Sequence, residues 1–397
     1  MIARRIGAGL AALAVVVLGA GPCLAASSPW TLLSAPPSGD DAFLLSVSAD
    51  SNTDAWAVGA IDKSGAQGPL IDHWNGTSWS QSAAPSYPSG ETTTFDGVSA
   101  SSTSNVWAVG YYNVSRYDYY PTTALWNGST WTIKPAAQCE TGGAAVSSDL
   151  LGVAAVSPTE AFAVGECVSQ DAGYVEQWNG ATWTMATLPT PISPSLGTSL
   201  SSISADSATD VWAVGEYPVQ ATANTERYEP YSLHYNGTAW SVVPMPATPG
   251  TDNQLVYEFQ AIDAISPSNV WAVGESGDDV GVGGAPTATI VEHYNGTAWS
   301  VVSSPTVGTS PYLTGVTATS ASNVWAVGYD VPSGSTTLQT FTMNWNGSAW
   351  TTESSPDTGT ASLLAGASTT SGGANVWAAG YSTTSSSYNP LILQAAG

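Results

Sequence analysis

The chain has 397 residues, with six Lys and Arg against thirty Asp and Glu, a net charge of −24 and three Cys. So acidic a protein repels nucleic acid and anionic membrane surfaces, and its charge chiefly favours solubility. Three scattered Cys form no cluster for zinc.

The first residues have the character of a targeting segment. Arg4 and Arg5 precede an apolar run over residues 6–18, and Cys23-Leu24-Ala25-Ala26 offers small-residue cleavage after Ala25 or Ala26. Pro22 directly before Cys23 argues against a lipid anchor. The expectation is a signal peptide over residues 1–26 and a secreted, extracellular protein of residues 27–397 with no membrane span.

From there on one pattern repeats seven times. Trp56-Ala57-Val58-Gly59 recurs with its glycine at 110, 165, 215, 274, 328 and 380, with Phe162 replacing Trp in the third copy and Ala379 replacing Val in the seventh. Spacings of 50 to 59 residues over seven copies predict an all-β, seven-bladed β-propeller, in one domain spanning 27–397. Each blade is read as four antiparallel strands. Before the repeated segment lies an innermost strand with Leu or Phe, then a small residue, then Val or Ile, as in Leu44/Ser46/Val47 and Phe259/Ala261/Ile262. The seventh copy is assigned as Leu363/Ala365/Gly366, which lacks the β-branched residue. After the repeated segment come Trp74-Asn75-Gly76-Thr77-Ser78-Trp79 and five equivalents, read as a hairpin with a type I′ Asn-Gly turn. Several of these turns also match the N-glycosylation acceptor, although repetition at one turn position is explained by the turn itself.

The hairpin occurs six times, one fewer than the blades. No Asn-Gly-x-x-Trp follows Gly380, whereas residues 30–36 at the other end match residues 79–85. The N-terminal strand is therefore expected to complete the last blade beside the C-terminal strand, leaving no blade incomplete.

On these features the chain resembles the kelch and galactose-oxidase-like propellers. The resemblance rests on four apolar residues before a glycine, as in Val106-Trp107-Ala108-Val109-Gly110, with aromatic and Trp residues following, and covers residues 29–397. Kelch blades carry a Gly-Gly doublet. Here the second position holds Ala60, Tyr111, Glu166, Glu216, Glu275, Tyr329 or Tyr381. The oxidase's copper site needs two His ligands and a Tyr joined to a Cys; nothing here matches it, so no copper chemistry and no resident cofactor is implied.

Cys139 lies in the link from blade 2 to blade 3, and Cys167 just after the second strand of blade 3. Both positions emerge on one face, so a disulfide is expected in an oxidising compartment. The same face holds most of the length variation, since residues 51–54, 102–105 and 267–269 are short turns at the opposite end. The links over residues 166–173, 216–231 and 275–289 differ widely in length.

Function in a rigid scaffold tends to reside in such variable segments. Glu166, Glu216 and Glu275 hold equivalent positions in consecutive blades and are candidate catalytic acids, since paired carboxylates are the machinery of glycoside hydrolysis. The same acids offer oxygen ligands to a hard cation such as calcium. Tyr111, Tyr112, Tyr217, Tyr329 and Tyr381, with Arg116, Arg227, Asp96 and Gln260, are candidate ligand contacts, because Tyr combines apolar area with a hydroxyl. His73, His234 and His293 share one register in three different blades and cannot converge on one metal.

Two functions from different classes follow. One is a binding propeller for extracellular carbohydrate. The other is a glycan-cleaving enzyme, a hydrolase before a lyase, given how few cations there are to hold an anionic substrate. A protein-interaction scaffold would use the same face. A monomer is expected, with a glycan or a protein surface as partner.

Overall fold

The computed structural model describes residues 28–397 except 64–65, 88–90, 116–117, 171, 190–196, 223–224, 247–254, 279–285, 306, 371 and 386. The expected signal peptide and Cys23 thus lie outside the described residues. The rest forms seven four-stranded antiparallel sheets, each running outward from an inner strand through the repeated Trp-Ala-Val-Gly strand. Blade 1, for example, comprises Asp41–Ser51, Asp54–Lys63, Ala66–Trp74 and Trp79–Gln81. Added to these among the described residues are a small hairpin, Glu140–Thr141 with Ala144–Ala145, on the link into blade 3, and a 3-10 turn, Val168–Gln170.

The seventh sheet is closed from the N-terminus. Trp30–Leu33 pairs antiparallel with the last strand, Tyr388–Ala396, in the register Trp30 to Ala395 and Leu33 to Ile392. The expected closure is therefore present.

The repeat has a packing reason. Trp56, Trp107, Trp212, Trp271 and Trp377 are all at most 1% exposed, and Phe162 takes the same buried place in blade 3. Each of these rings inserts against the hairpin aromatics of the next blade. Trp56 meets Trp126 and Trp131 at 5.0 and 5.2 Å, and Trp107 meets Trp178 and Trp183 at 4.9 and 4.8 Å. The circuit returns through Trp325 on Trp30 at 5.1 Å and Trp377 on Trp74 and Trp79, both at 5.3 Å. Edge-to-face pairs of this kind add about 0.5–1.5 kcal/mol each beyond their buried area. Nearer the axis, side-chain oxygens clasp neighbouring backbones. The Oγ atoms of Ser48, Ser99, Ser204 and Ser368 accept the N–H groups of Ala100, Ala155, Ala264 and Ala49, and Asp263 Oδ2 accepts that of Ala318.

Two local expectations are corrected. The Asn-Gly hairpin is a four-residue loop, because Trp74 pairs with Trp79 and the Asn75 N–H donates to the Ser78 carbonyl. Asn75 Oδ1 accepts the N–H groups of Thr77 and Ser78, while Gly76 sits at φ +92°. The side chain thus satisfies the loop's donors, which a two-residue turn would not require. The second correction is the register of the last inner strand. Leu364 pairs with Gly380 and Gly366 with Ala379, so the triplet is Leu364/Gly366/Ala367, one residue on from the sequence assignment.

That triplet repeats because every inner strand bulges. Within the triplet the pairing skips one residue in each blade, Leu45, Asp96, Leu151, Ser201, Gln260, Thr314 and Ala365, and in blades 1–6 it shifts once more near the strand's end. A bulge turns backbone toward its partner strand. A Cβ on the repeated glycine would collide there with an inner-strand carbonyl oxygen, that of Phe43 at Gly59 and of Glu258 at Gly274. The glycine is therefore fixed by space.

The disulfide between Cys139 and Cys167 is formed, with Cα atoms 5.9 Å apart. Both residues are buried, at 2% and 6% exposure, and Gln170 Nε2 donates to the Glu140 carbonyl and to Thr141 Oγ1 of the small hairpin. The Cys139→Ser, Cys167→Ser double variant is expected to lose roughly 3–4 kcal/mol, as a closed loop of this length loses in the chain-entropy model. Urea unfolding checks this, and equal midpoints with and without the bridge would refute it.

Candidate functional site

The residue after each repeated glycine lies directly across from the residue that precedes the inner strand's Leu or Phe. The seven pairs are Ala60 with Phe43, Tyr111 with Thr94, Glu166 with Asp149, Glu216 with Ser199, Glu275 with Glu258, Tyr329 with Tyr312, and Tyr381 with Leu363. The bulged residue comes two positions after the inner member of each pair. Asp96 and Gln260 therefore belong to one ring of bulged residues around the axis.

Glu216, 8% exposed, and Glu275, 2% exposed, are brought together, and the negative charges of Glu216 and Glu258 both bear on Glu275. Glu275 Oε1 accepts a hydrogen bond from Gln260 Nε2 at 3.1 Å. Burial first, then Glu258, pushes the Glu275 carboxyl well above the usual carboxylate range. Blade 6 contributes the half-buried Tyr312 and Tyr329, stacked at 4.5 Å with an interplanar angle of 21°. Burial pushes the Tyr312 hydroxyl up to about 12, and the Tyr329 hydroxyl up as well, with Glu275 adding to both.

Glu166 has Asp149 and Tyr119 as its described neighbours. It is half-buried, and its N–H donates to Asp149 Oδ1 at 3.3 Å. Its charge acts on the buried Tyr119, whose ring lies 5.6 Å from that of Tyr111. Burial pushes Tyr111 up to about 12, with Asp96 and Asp149 adding to the shift. The described contacts thus gather acids and tyrosines in two places, on blades 2–3 and on blades 4–6.

The other candidates spread round the face. Tyr112 packs between Tyr87 and Tyr120 at 6.5 and 5.9 Å. Tyr217 meets Tyr231 edge-on at 6.0 Å, and Tyr381 lies between Phe43 and Tyr388 at 5.9 and 5.6 Å. Arg116 lies outside the described residues. Of Arg227 only the backbone is described, opposite Val219. The long link over residues 216–231 is an extended hairpin, since the strands Asp210–Thr222 and Thr225–Tyr235 pair along it as far as Thr222 with Thr225. The histidines serve the scaffold, as expected. His73 and His234 bond Asp54 and Asp210 at 2.6 and 2.7 Å, His293 bonds Asn269 at 2.7 Å, and each ring stacks on its own blade's Trp.

Among the described residues no group of three or more His, Cys, Asp or Glu is placed to hold a metal ion. No helix among them is long and apolar enough to cross a membrane.

No known protein family matches the sequence, and no curated protein resembles it closely enough to match. Solved structures do match in fold. A protein of unknown function from Dyadobacter fermentans is 12% identical with a TM-score of 0.52, over 93% of this chain and 98% of its own. The polysaccharide lyase Uly1 is 8% identical with a TM-score of 0.52, over 87% and 88%. A GH74 xyloglucanase from Xanthomonas campestris is 11% identical with a TM-score of 0.50, over 91% of this chain but 55% of its own. The chain shares their propeller fold. At such identities nothing further carries over.

Two groups of residues were missed by sequence reasoning. Asp149, Glu258 and Tyr312 stand just before the repeated Leu or Phe, outside any motif, and only the cross-strand pairing reveals them. Asp72, Glu176 and Glu292 are 0–1% exposed, at third-strand positions where blades 4 and 6 carry Leu233 and Met343. Their signal is an acid set among apolar residues, as in Leu70-Ile71-Asp72.

Proposed function

We propose that this chain is a secreted, monomeric protein that binds extracellular carbohydrate through the face carrying the two acid–tyrosine groups. The supporting observation is the blade 4–6 group. A stacked tyrosine pair there lies by Glu258 and Glu275, with Gln260 bonded to Glu275, which offers an apolar ring surface beside hydrogen-bonding groups. Sugar recognition needs both. Removal of residues 1–26, a single domain over 27–397 and the kelch-like, galactose-oxidase-like character of the repeats belong to the same proposal. A disulfide and the lack of a long apolar helix among the described residues are compatible with secretion.

Glycan cleavage is the second reading, favoured by one observation: Glu275 is held above the usual carboxylate range beside two other carboxyls, as a general acid requires. A polysaccharide lyase and a xyloglucanase share the fold, which supports this reading by analogy of fold alone.

The test is incubation of the purified protein with neutral and acidic polysaccharides, followed by mass spectrometry of the soluble fraction. Retention on a neutral polysaccharide without release is expected, with Tyr329→Ala weakening it about tenfold, or 1.4 kcal/mol. Released oligosaccharides that disappear in Glu275→Gln would establish cleavage. Neither retention nor release would give the face to a protein partner.

A further inference from the structure

Five aromatic rings follow one another across blades 6, 7 and 1, on the face that carries the residues after the repeated glycines. Blade 6 contributes the stacked pair Tyr312 and Tyr329, 4.5 Å apart. Blade 7 contributes Tyr381, whose hydroxyl bears on that of Tyr329 and whose ring lies 5.6 Å from that of Tyr388 in the same sheet. Blade 1 places the buried Ala60 where blades 2, 6 and 7 carry tyrosine, and the ring there is Phe43, directly across from Ala60. Phe43 closes the row, 5.9 Å from Tyr381 and 6.3 Å from Tyr388. Four of the five rings are half-buried. Tyr388 is 39% exposed and is the only aromatic among the large exposed hydrophobics of the described residues. Because it continues a row of other rings, its exposed surface is part of a contiguous patch, and such a patch marks a place that something covers.

Tyr388 is also held in place. Its N–H donates to Asp41 Oδ1 of blade 1 at 3.0 Å, and the turn before it is tied by the Thr384 N–H, which donates to the Ser387 carbonyl at 2.9 Å. A ring fixed through its backbone loses little freedom when a ligand lies on it. We propose that these five rings form a ledge that binds an extended, neutral polysaccharide chain over several consecutive sugars, with Phe43 and Tyr388 as the outer contacts that tell a long chain from a short one. The inference rests on the carbohydrate reading above and names the class of glycan, the interior of a chain. Sugar rings pack their C–H faces on aromatic rings, and four tyrosine hydroxyls border the ledge for their polar edges. The steps between rings in blades 7 and 1, 5.6 to 6.3 Å, are comparable with the length of one sugar ring, so successive sugars meet successive side chains. None of the five side chains is charged at neutral pH, so the ledge supplies no counter-ion to a uronate or sulfated chain. The ionisable group that bears on its blade 6 end, Glu275, is itself an acid.

The test is isothermal titration calorimetry of the full chain with cello-, manno- and xylo-oligosaccharides of two and of six sugars. The longer member of at least one series is expected to bind about tenfold more tightly than the shorter, because each further contact is made within one complex. Tyr388→Ala is expected to remove that gain and to leave the disaccharide unaffected, whereas Tyr388→Phe keeps it, since the ring and not the hydroxyl is used. Tyr329→Ala is expected to weaken both lengths. Tyr388 is exposed, so its truncation should leave the urea midpoint unchanged, and Phe43→Ala reads the same end of the ledge independently. Equal affinity for the two lengths, a full length gain in Tyr388→Ala, or polysaccharide retention that Tyr388→Ala leaves unchanged would overturn the ledge and leave the carbohydrate reading standing. No binding at either length together with no retention of polysaccharide would reject both readings. Capture of a proline-rich peptide instead, lost in Tyr388→Ala, would give these rings to a protein partner and overturn the proposal.

Discussion

Deleting residues 28–36 is expected to abolish the single cooperative unfolding transition, and Trp30→Ala alone to lower stability by about 3–5 kcal/mol. Trp30 is 3% exposed, packs edge-on against Trp325 at 5.1 Å, and donates from Nε1 to Thr342 Oγ1 at 3.2 Å. One residue therefore links the last blade to the sixth. Ser28 Oγ adds a bond to the Ser354 carbonyl at 2.7 Å. Without the strand, the Tyr388–Ala396 strand becomes an exposed sheet edge, although Leu391 and Leu393 are at most 1% exposed in the closed ring. Such an edge invites opening and aggregation. Urea unfolding followed by tryptophan fluorescence reads the effect, and an unchanged midpoint and slope in the truncation would mean that the ring is not held closed by this strand.

Closure was legible because it is a counting problem: seven Gly-ended strands, six hairpins and one unmatched Trp near the N-terminus. The disulfide was legible for a similar reason, since Cys139 and Cys167 flank one blade on one face. The bulge was not. A bulge adds one residue at a point where the side-chain pattern merely shifts phase, which is why the last inner strand was misaligned by one position at Leu364. The candidate site inherits this difficulty. Glu216 and Glu275 stood out because they follow a repeated glycine, but the residue opposite each one is set by the bulge. Asp149 and Glu258 stayed hidden until the pairing was known. Around Glu166 its own blade places Asp149, and blade 2 places the Tyr111–Tyr119 pair.

The buried acids lead to the second large effect: the protein is expected to be most stable in mild acid and to weaken steadily as pH rises toward 8. Burial pushes Asp72 up to about 7, Glu176 and Glu292 up to about 8, and Asp263 up to about 6. For Glu176 the Ala137 N–H, and for Asp263 the Ala318 N–H and the Ser204 hydroxyl, pull the other way without reversing the shift. In the unfolded chain such groups ionise near pH 4. Between about pH 4 and their folded values the folded protein keeps protons that the unfolded chain has released, so unfolding releases protons and is favoured by raising pH. The stabilisation is complete below about pH 4 and is lost from there up to about pH 6 for Asp263, 7 for Asp72 and 8 for Glu176 and Glu292. Each group contributes a slope of at most about 1.4 kcal/mol per pH unit within its own interval, so four acting together exceed any single contact in the fold. Urea midpoints at pH 5, 7 and 9 should fall in that order. Glu176→Gln and Glu292→Gln should flatten the upper part of the curve, because an amide cannot ionise. Burying three acids where three other blades use Leu233, Met343 and Leu393, and a fourth, Asp263, on an inner strand, thus ties the stability of the ring to the acidity of its surroundings. A midpoint that rises between pH 5 and 9, or one left unchanged by both Gln variants, would show that these carboxyls ionise within the fold at no cost.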